Sequence, residues 1–108
     1  MISKVGWVAV LGVALPGPLL AEWYSGGDLH DSTLSEWNAA TAENRLATSS
    51  DFAVGALGEE RSVALGLDRL RIVAGELANC ISEVAVEPGA GSQKSTEIAA
   101  ACWILMTQ

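Results

Sequence analysis

Arg61 to Val86 reads RSVALGLDRLRIVAGELANCISEVAV, and this stretch decides the fold. Val63, Leu67, Leu70, Ala74, Leu77, Ile81 and Val84 step through it by fours and threes. That spacing gathers side chains on one face of a helix with 3.6 residues per turn. Asp68, Arg71 and Ser82 fall off the stripe, so the stretch predicts an amphipathic helix over 61–86 with its apolar side buried. Gly66 and Gly75 interrupt it, each at a cost of about 1 kcal/mol relative to alanine. The expected reason for these glycines is close approach of a neighbouring helix.

Toward the C-terminus, Glu87–Ser92 reads EPGAGS. Pro88 and two glycines end the long helix, and Ser92 is placed to cap the next one. That last helix is expected over about 93–106. Its EIAAACWILM segment is apolar nearly all round, which predicts a central, buried helix. Cys80 stands about 7 residues before the turn and Cys102 about 9 residues into the next helix, so in an antiparallel pair their heights differ by about 3 Å. A disulfide across such a pair can form without strain.

Toward the N-terminus, Thr33 and Glu36 have capping-box spacing. The following LSEWNAATAENRLA is rich in helix formers, predicting a helix over about 33–47. Thr48-Ser49-Ser50-Asp51 reads either as a break, with a second short helix over about 50–57, or as a polar turn within a longer helix; Phe52 is expected to face inward and 58–60 to form a loop. Glu22–Asp31 is irregular, with turn chemistry at Ser25-Gly26-Gly27-Asp28. The expected fold is all-α, with three to four helices. The last two form an antiparallel hairpin tied by Cys80–Cys102.

Residues 1–21 have a different composition. Lys4 precedes the uncharged run VGWVAVLGVAL (Val5–Leu15), then Pro16-Gly17-Pro18 and Leu19-Leu20-Ala21. This is the order of a secretory signal peptide cut after Ala21, and the run is shorter than the roughly 20 apolar residues needed to span a bilayer. A single small helical domain over 22–108 is then expected in the periplasm or outside the cell. A core that size is marginal, and an oxidising compartment makes an intramolecular disulfide the default for two cysteines.

The chain has 13 acidic and 6 basic residues, and Lys4 is the single charge in the leader, so residues 22–108 carry net −8. No basic cluster exists to displace counterions from nucleic acid, and anionic membrane surfaces repel such a domain.

Chemical motifs are sparse. GAGSQKS (Gly89–Ser95) has the look of a phosphate loop, but Gln93 stands where that loop needs glycine before Lys94, and no strand precedes it. His30, the single histidine, is flanked by Asp28 and Asp31; it is a candidate pH-sensitive or partner-contact group and a weak metal ligand. No G-x-S-x-G elbow or C-x-x-C pair is present, so neither catalytic residues nor cofactor-binding residues are assigned. Trp23-Tyr24 is the best candidate for exposed aromatic contacts, whereas Trp37 and Trp103 sit on apolar helix faces and read as core. The candidate partner-binding residues are thus Trp23, Tyr24 and His30.

The segments SGGDLH (Ser25–His30), ELANCI (Glu76–Ile81) and EIAAACWILM (Glu97–Met106) resemble those of small secreted bacterial helical proteins. The likeness is to the type VI secretion amidase-immunity (Tai-like) group and, more remotely, to HdeA-type acid-stress chaperones. It runs from about Tyr24 to the C-terminus. It departs from the first group in having no early cysteine between Ser32 and Asn38. The resemblance implies a helical domain without enzymatic activity or cofactor that binds another protein. A structural or accessory part in a cell-envelope complex is the alternative. Acidification, by discharging Glu76 and Glu83 beside Leu77 and Val84, would merge apolar surface, the property an HdeA-like chaperone would use.

Overall fold

A computed structural model describes residues 22–108; the signal-peptide reading of residues 1–21 lies outside them. Five helices and no strand are formed among the described residues. They are α1 (Leu34–Ala39), α2 (Ala42–Leu57), α3 (Glu59–Leu65), α4 (Leu67–Ala85) and α5 (Ser95–Met106). The expected all-α class holds. So does the final antiparallel hairpin, closed by a Cys80–Cys102 disulfide with Cα atoms 6.0 Å apart.

The centre of the molecule is α4, which packs against α1, α2 and α5. Leu70, Ala74, Leu77 and Ile81 of the expected stripe are buried along it, with Ala85 extending the row. Trp37, fully buried on α1 as expected, docks on this row, and its indole N–H donates to Ser82 Oγ at 3.0 Å. Asn38 Nδ2 donates to the Ala85 carbonyl at 2.8 Å, so α1 is held to the end of α4 by side chains on both sides.

The start of α1 shows how the N-terminal segment and the α4–α5 turn lock together. A helix begins with N–H groups that have no partner within it. Thr33 and Glu36 form the expected capping box. The N–H groups of Leu34 and Ser35 donate to the carbonyls of Gln93 and Gly91, at 2.8 and 3.0 Å. In return, Ser95 N–H at the start of α5 donates to the Ser32 carbonyl at 2.9 Å, and the buried Ser32 and Ser95 hydroxyls pair at 2.8 Å. The 89–95 segment therefore presents carbonyls to a helix start, the opposite polarity to a phosphate cradle.

Several expectations are corrected. One group concerns helix boundaries in the N-terminal half and in the long stripe, with its glycines. The predicted 33–47 helix ends at Ala39, where extended Ala40 (ψ 167°) breaks it. Thr41 caps a new helix by accepting from Asn44 N–H at 3.1 Å. That helix runs straight through Thr48–Asp51, because Thr48, Ser49 and Ser50 are buried inside it. The predicted 61–86 helix is cut at Gly66, whose φ of 87° lies in the left-handed range that favours glycine. Gly58 has nearly the same backbone (φ 86°, ψ 160°), so the loop expected over 58–60 shrinks to that one residue before α3. Gly75 faces open space rather than a closely packed helix.

The remaining two concern α5. It is not the central helix. Ser95, Ala99 and Cys102 are buried, but Ile104 and Leu105 are 58% and 67% exposed. Its start is also not capped by Ser92: Lys94 occupies the cap position without a side-chain bond, and the backbone of Ser32 does the work.

Candidate functional site

The cut at Gly66 creates the most distinctive surface. Where α3 and α4 diverge from α2 they leave an open, mainly apolar groove of about 490 Å³, a volume within the range of binding pockets. Helix α2 contributes Ser50, Asp51 and Val54; α3 contributes Ser62 and Val63; the α3–α4 junction contributes Gly66, Leu67 and Leu70; and Tyr24 closes one side. Leu70 is buried at the base, whereas Val63 and Leu67 on the walls are 75% and 53% exposed. These two read in the sequence as the start of the core stripe. Gly66 breaks the helix between them, and Val63 on α3 and Leu67 at the start of α4 stand uncovered on the groove instead.

Polar groups sit at the edge. Asp51 Oδ2 pairs with His30 Nε2 at 2.8 Å, with both side chains nearly half exposed. The carboxylate that meets His30 thus comes from α2, 21 residues on, and not from the neighbouring Asp28 or Asp31. The imidazole also packs edge-on to Phe52, with ring centroids 5.7 Å apart. Asp28 is engaged elsewhere: its carboxylate accepts from Asn44 Nδ2 at 2.7 Å, and its N–H donates to Asn44 Oδ1 at 3.0 Å. These bonds, with Leu29 N–H donating to Thr48 Oγ1 at 3.2 Å, fasten the N-terminal segment along α2.

The predicted contact residues are therefore partly brought together. Tyr24 lines the groove and His30 reaches it through Asp51. Trp23 lies behind them, half-buried against the core. It meets the Tyr24 ring edge-on at 5.5 Å, and the Arg71 guanidinium stands 5.6 Å from its centroid. Val54, Val63, Leu67 and Leu70 were missed as a site; the signal available was a pair of glycines, Gly58 and Gly66, bracketing a seven-residue segment that carries the first stripe residue, Val63. A second apolar depression of about 350 Å³ lies between α2, α4 and α5, with Phe52, Leu77, Trp103 and Ile104 among its walls. Trp103 is half-buried there, packed against the core as expected.

The arrangement offers mainly apolar contact surface. The Ser62 hydroxyl donates to the Gly58 carbonyl at 2.7 Å, and no hydroxyl among the described residues is bonded to His30. Among the described residues no group of three His, Cys, Asp or Glu side chains is placed to hold a metal, and no helix is long and apolar enough to cross a membrane. No protein-family model, curated protein or solved structure matches the chain.

Proposed function

We propose that this chain is a non-enzymatic protein of the periplasm or extracellular space that acts by binding another protein, in the manner of a Tai-like immunity protein or an HdeA-type chaperone. The observation that carries this reading is the uncovered apolar wall formed by Val63 and Leu67 beside Tyr24. Contiguous exposed apolar surface in a small domain marks a contact site, and an aromatic residue with a polar tip at its edge suits such a site. The leader sequence at 1–21 and the disulfide support a location outside the cytoplasm.

A second reading, an accessory component of an envelope complex, is favoured by the separate apolar face of α5. Ile104 and Leu105 stand exposed there, so the domain has a second surface with which to bridge neighbours. Purification of the tagged protein from its own envelope extract tests both. A stoichiometric one-to-one complex supports the immunity-like role, and stable co-fractionation with a multi-protein assembly supports the second. Suppression of client aggregation on acidification, read by light scattering, singles out the chaperone form. Recovery of the protein alone under all these conditions contradicts the proposal.

A further inference from the structure

Resting on the binding role above, we propose that the α2–α3–α4 groove receives one amphipathic helix of a partner protein, which presents apolar side chains a turn apart and a lysine or arginine toward Asp51 and Glu59. The groove supplies both halves of that match. Val54, Val63, Leu67 and Leu70 make its apolar walls and base, the surface against which a helix lays residues spaced by three and four. Among the described residues Asp51 is the one charged residue that lines it. Glu59 precedes Ser62 and Val63 by three and four positions on α3, so it lies one turn away on the same helix face.

Among the described residues no lysine or arginine is ion-paired with these acids. Arg61 Nε donates to the Leu57 carbonyl at 2.8 Å. Arg71 stands over Trp23. Arg69 follows Leu67 by two positions, roughly 200° around the helix from the groove wall. Among the described residues His30 alone is paired with Asp51, and because the pair is nearly half exposed an incoming lysine or arginine can reach the carboxylate. The charge of the whole domain, net −8 over residues 22–108, favours a basic segment and opposes a second copy of the chain. The groove can also adapt to what it holds. Helix α3 buries none of its residues, and it hangs between two glycines of matching positive φ.

The probe is a synthetic amphipathic peptide of leucine and lysine, about four helical turns long, titrated calorimetrically into the purified, disulfide-intact protein beside its leucine–glutamate counterpart. The lysine peptide is expected to bind and the glutamate peptide not to. Val63→Gln with Leu67→Gln should weaken binding about tenfold or more, with circular dichroism unchanged because both side chains are already exposed. Asp51→Asn with Glu59→Gln should weaken it about tenfold, and Glu83→Gln with Glu87→Gln, an equal charge change at the far end of α4, by less than about twofold.

Equal effects of the two acidic pairs, or no effect of the apolar pair, overturn the proposal. So does a dimer in sedimentation that the apolar pair dissociates, since the occupant is then a second copy. Capture of the same envelope protein by the wild type and by Val63→Gln/Leu67→Gln alike overturns the groove and leaves the binding role standing. A protein that captures nothing, yet binds the lysine peptide in the pattern above, overturns the role and keeps the groove.

Discussion

At Gly27 the N-terminal segment passes so close to α2 that a β-carbon there would overlap the backbone of Thr48. Backbone cannot rotate aside, so Gly27→Ala is expected to destabilise by about 2 kcal/mol in urea unfolding. At Gly91 the obstacle is the Ser35 hydroxyl, the end of a mobile side chain, and the same substitution should cost clearly less. Ser49 is the reverse case. Its hydroxyl is fully buried in α2 without a protein hydrogen-bond partner, so Ser49→Ala removes an unpaired polar group and should stabilise by about 1 kcal/mol; a loss of stability would show that the hydroxyl is bonded. Three threonines show where reading at this scale stops. Thr33, Thr41 and Thr48 each precede, by three residues, a side chain suited to a helix start: Glu36, Asn44 and Asp51. Thr33 and Thr41 do cap. The Thr48 hydroxyl instead accepts from Leu29 N–H and donates to Asn44 Oδ1, a contact 19 residues away in sequence that no local pattern contains.

Among the helices, the two glycines of the long stripe have opposite roles, and substitution separates them. Gly75 lies within α4 facing open space, so Gly75→Ala should raise stability by about 1 kcal/mol. Gly66 holds φ 87° and ψ 159°, a backbone region almost closed to other residues, so Gly66→Ala should cost about 1–3 kcal/mol and reshape the groove. Thermal unfolding of both variants checks the pair; equal shifts would contradict the assigned roles. The stripe itself was legible from Leu70 to Ile81 because α4 has one apolar side and packs through it. Its beginning was misread because Val63 and Leu67 keep the spacing although Gly66 breaks the helix between them and leaves both exposed. Helix α5 was misplaced for a related reason. Apolar residues on every side mark a helix as buried only if neighbours exist to cover it, and beyond Cys102 the described residues leave Ile104 and Leu105 exposed. The first of these misreadings, uncovered Val63 and Leu67 taken as core, hid the candidate site.

For the molecule as a whole, stability rests on a small core and one covalent tie. The Cys80–Cys102 disulfide closes a loop with a sequence separation of 22, worth about 3 kcal/mol in the chain-entropy model. Reduction is therefore expected to lower the unfolding midpoint markedly, while the unreduced, denatured protein shows no thiol that reacts with a labelling reagent. The central claim is that this tied helical body meets its partner through the groove beside Tyr24. Its most direct test is a photo-crosslinking residue placed at position 63 in cells that make the protein, with position 86 as the control. Val86 is as exposed as Val63, at 72% against 75%, but it lies at the opposite end of α4 from the groove. The account predicts a discrete adduct of one partner from position 63 and none from position 86; equal adducts from both, or an adduct from 86 alone, would contradict it.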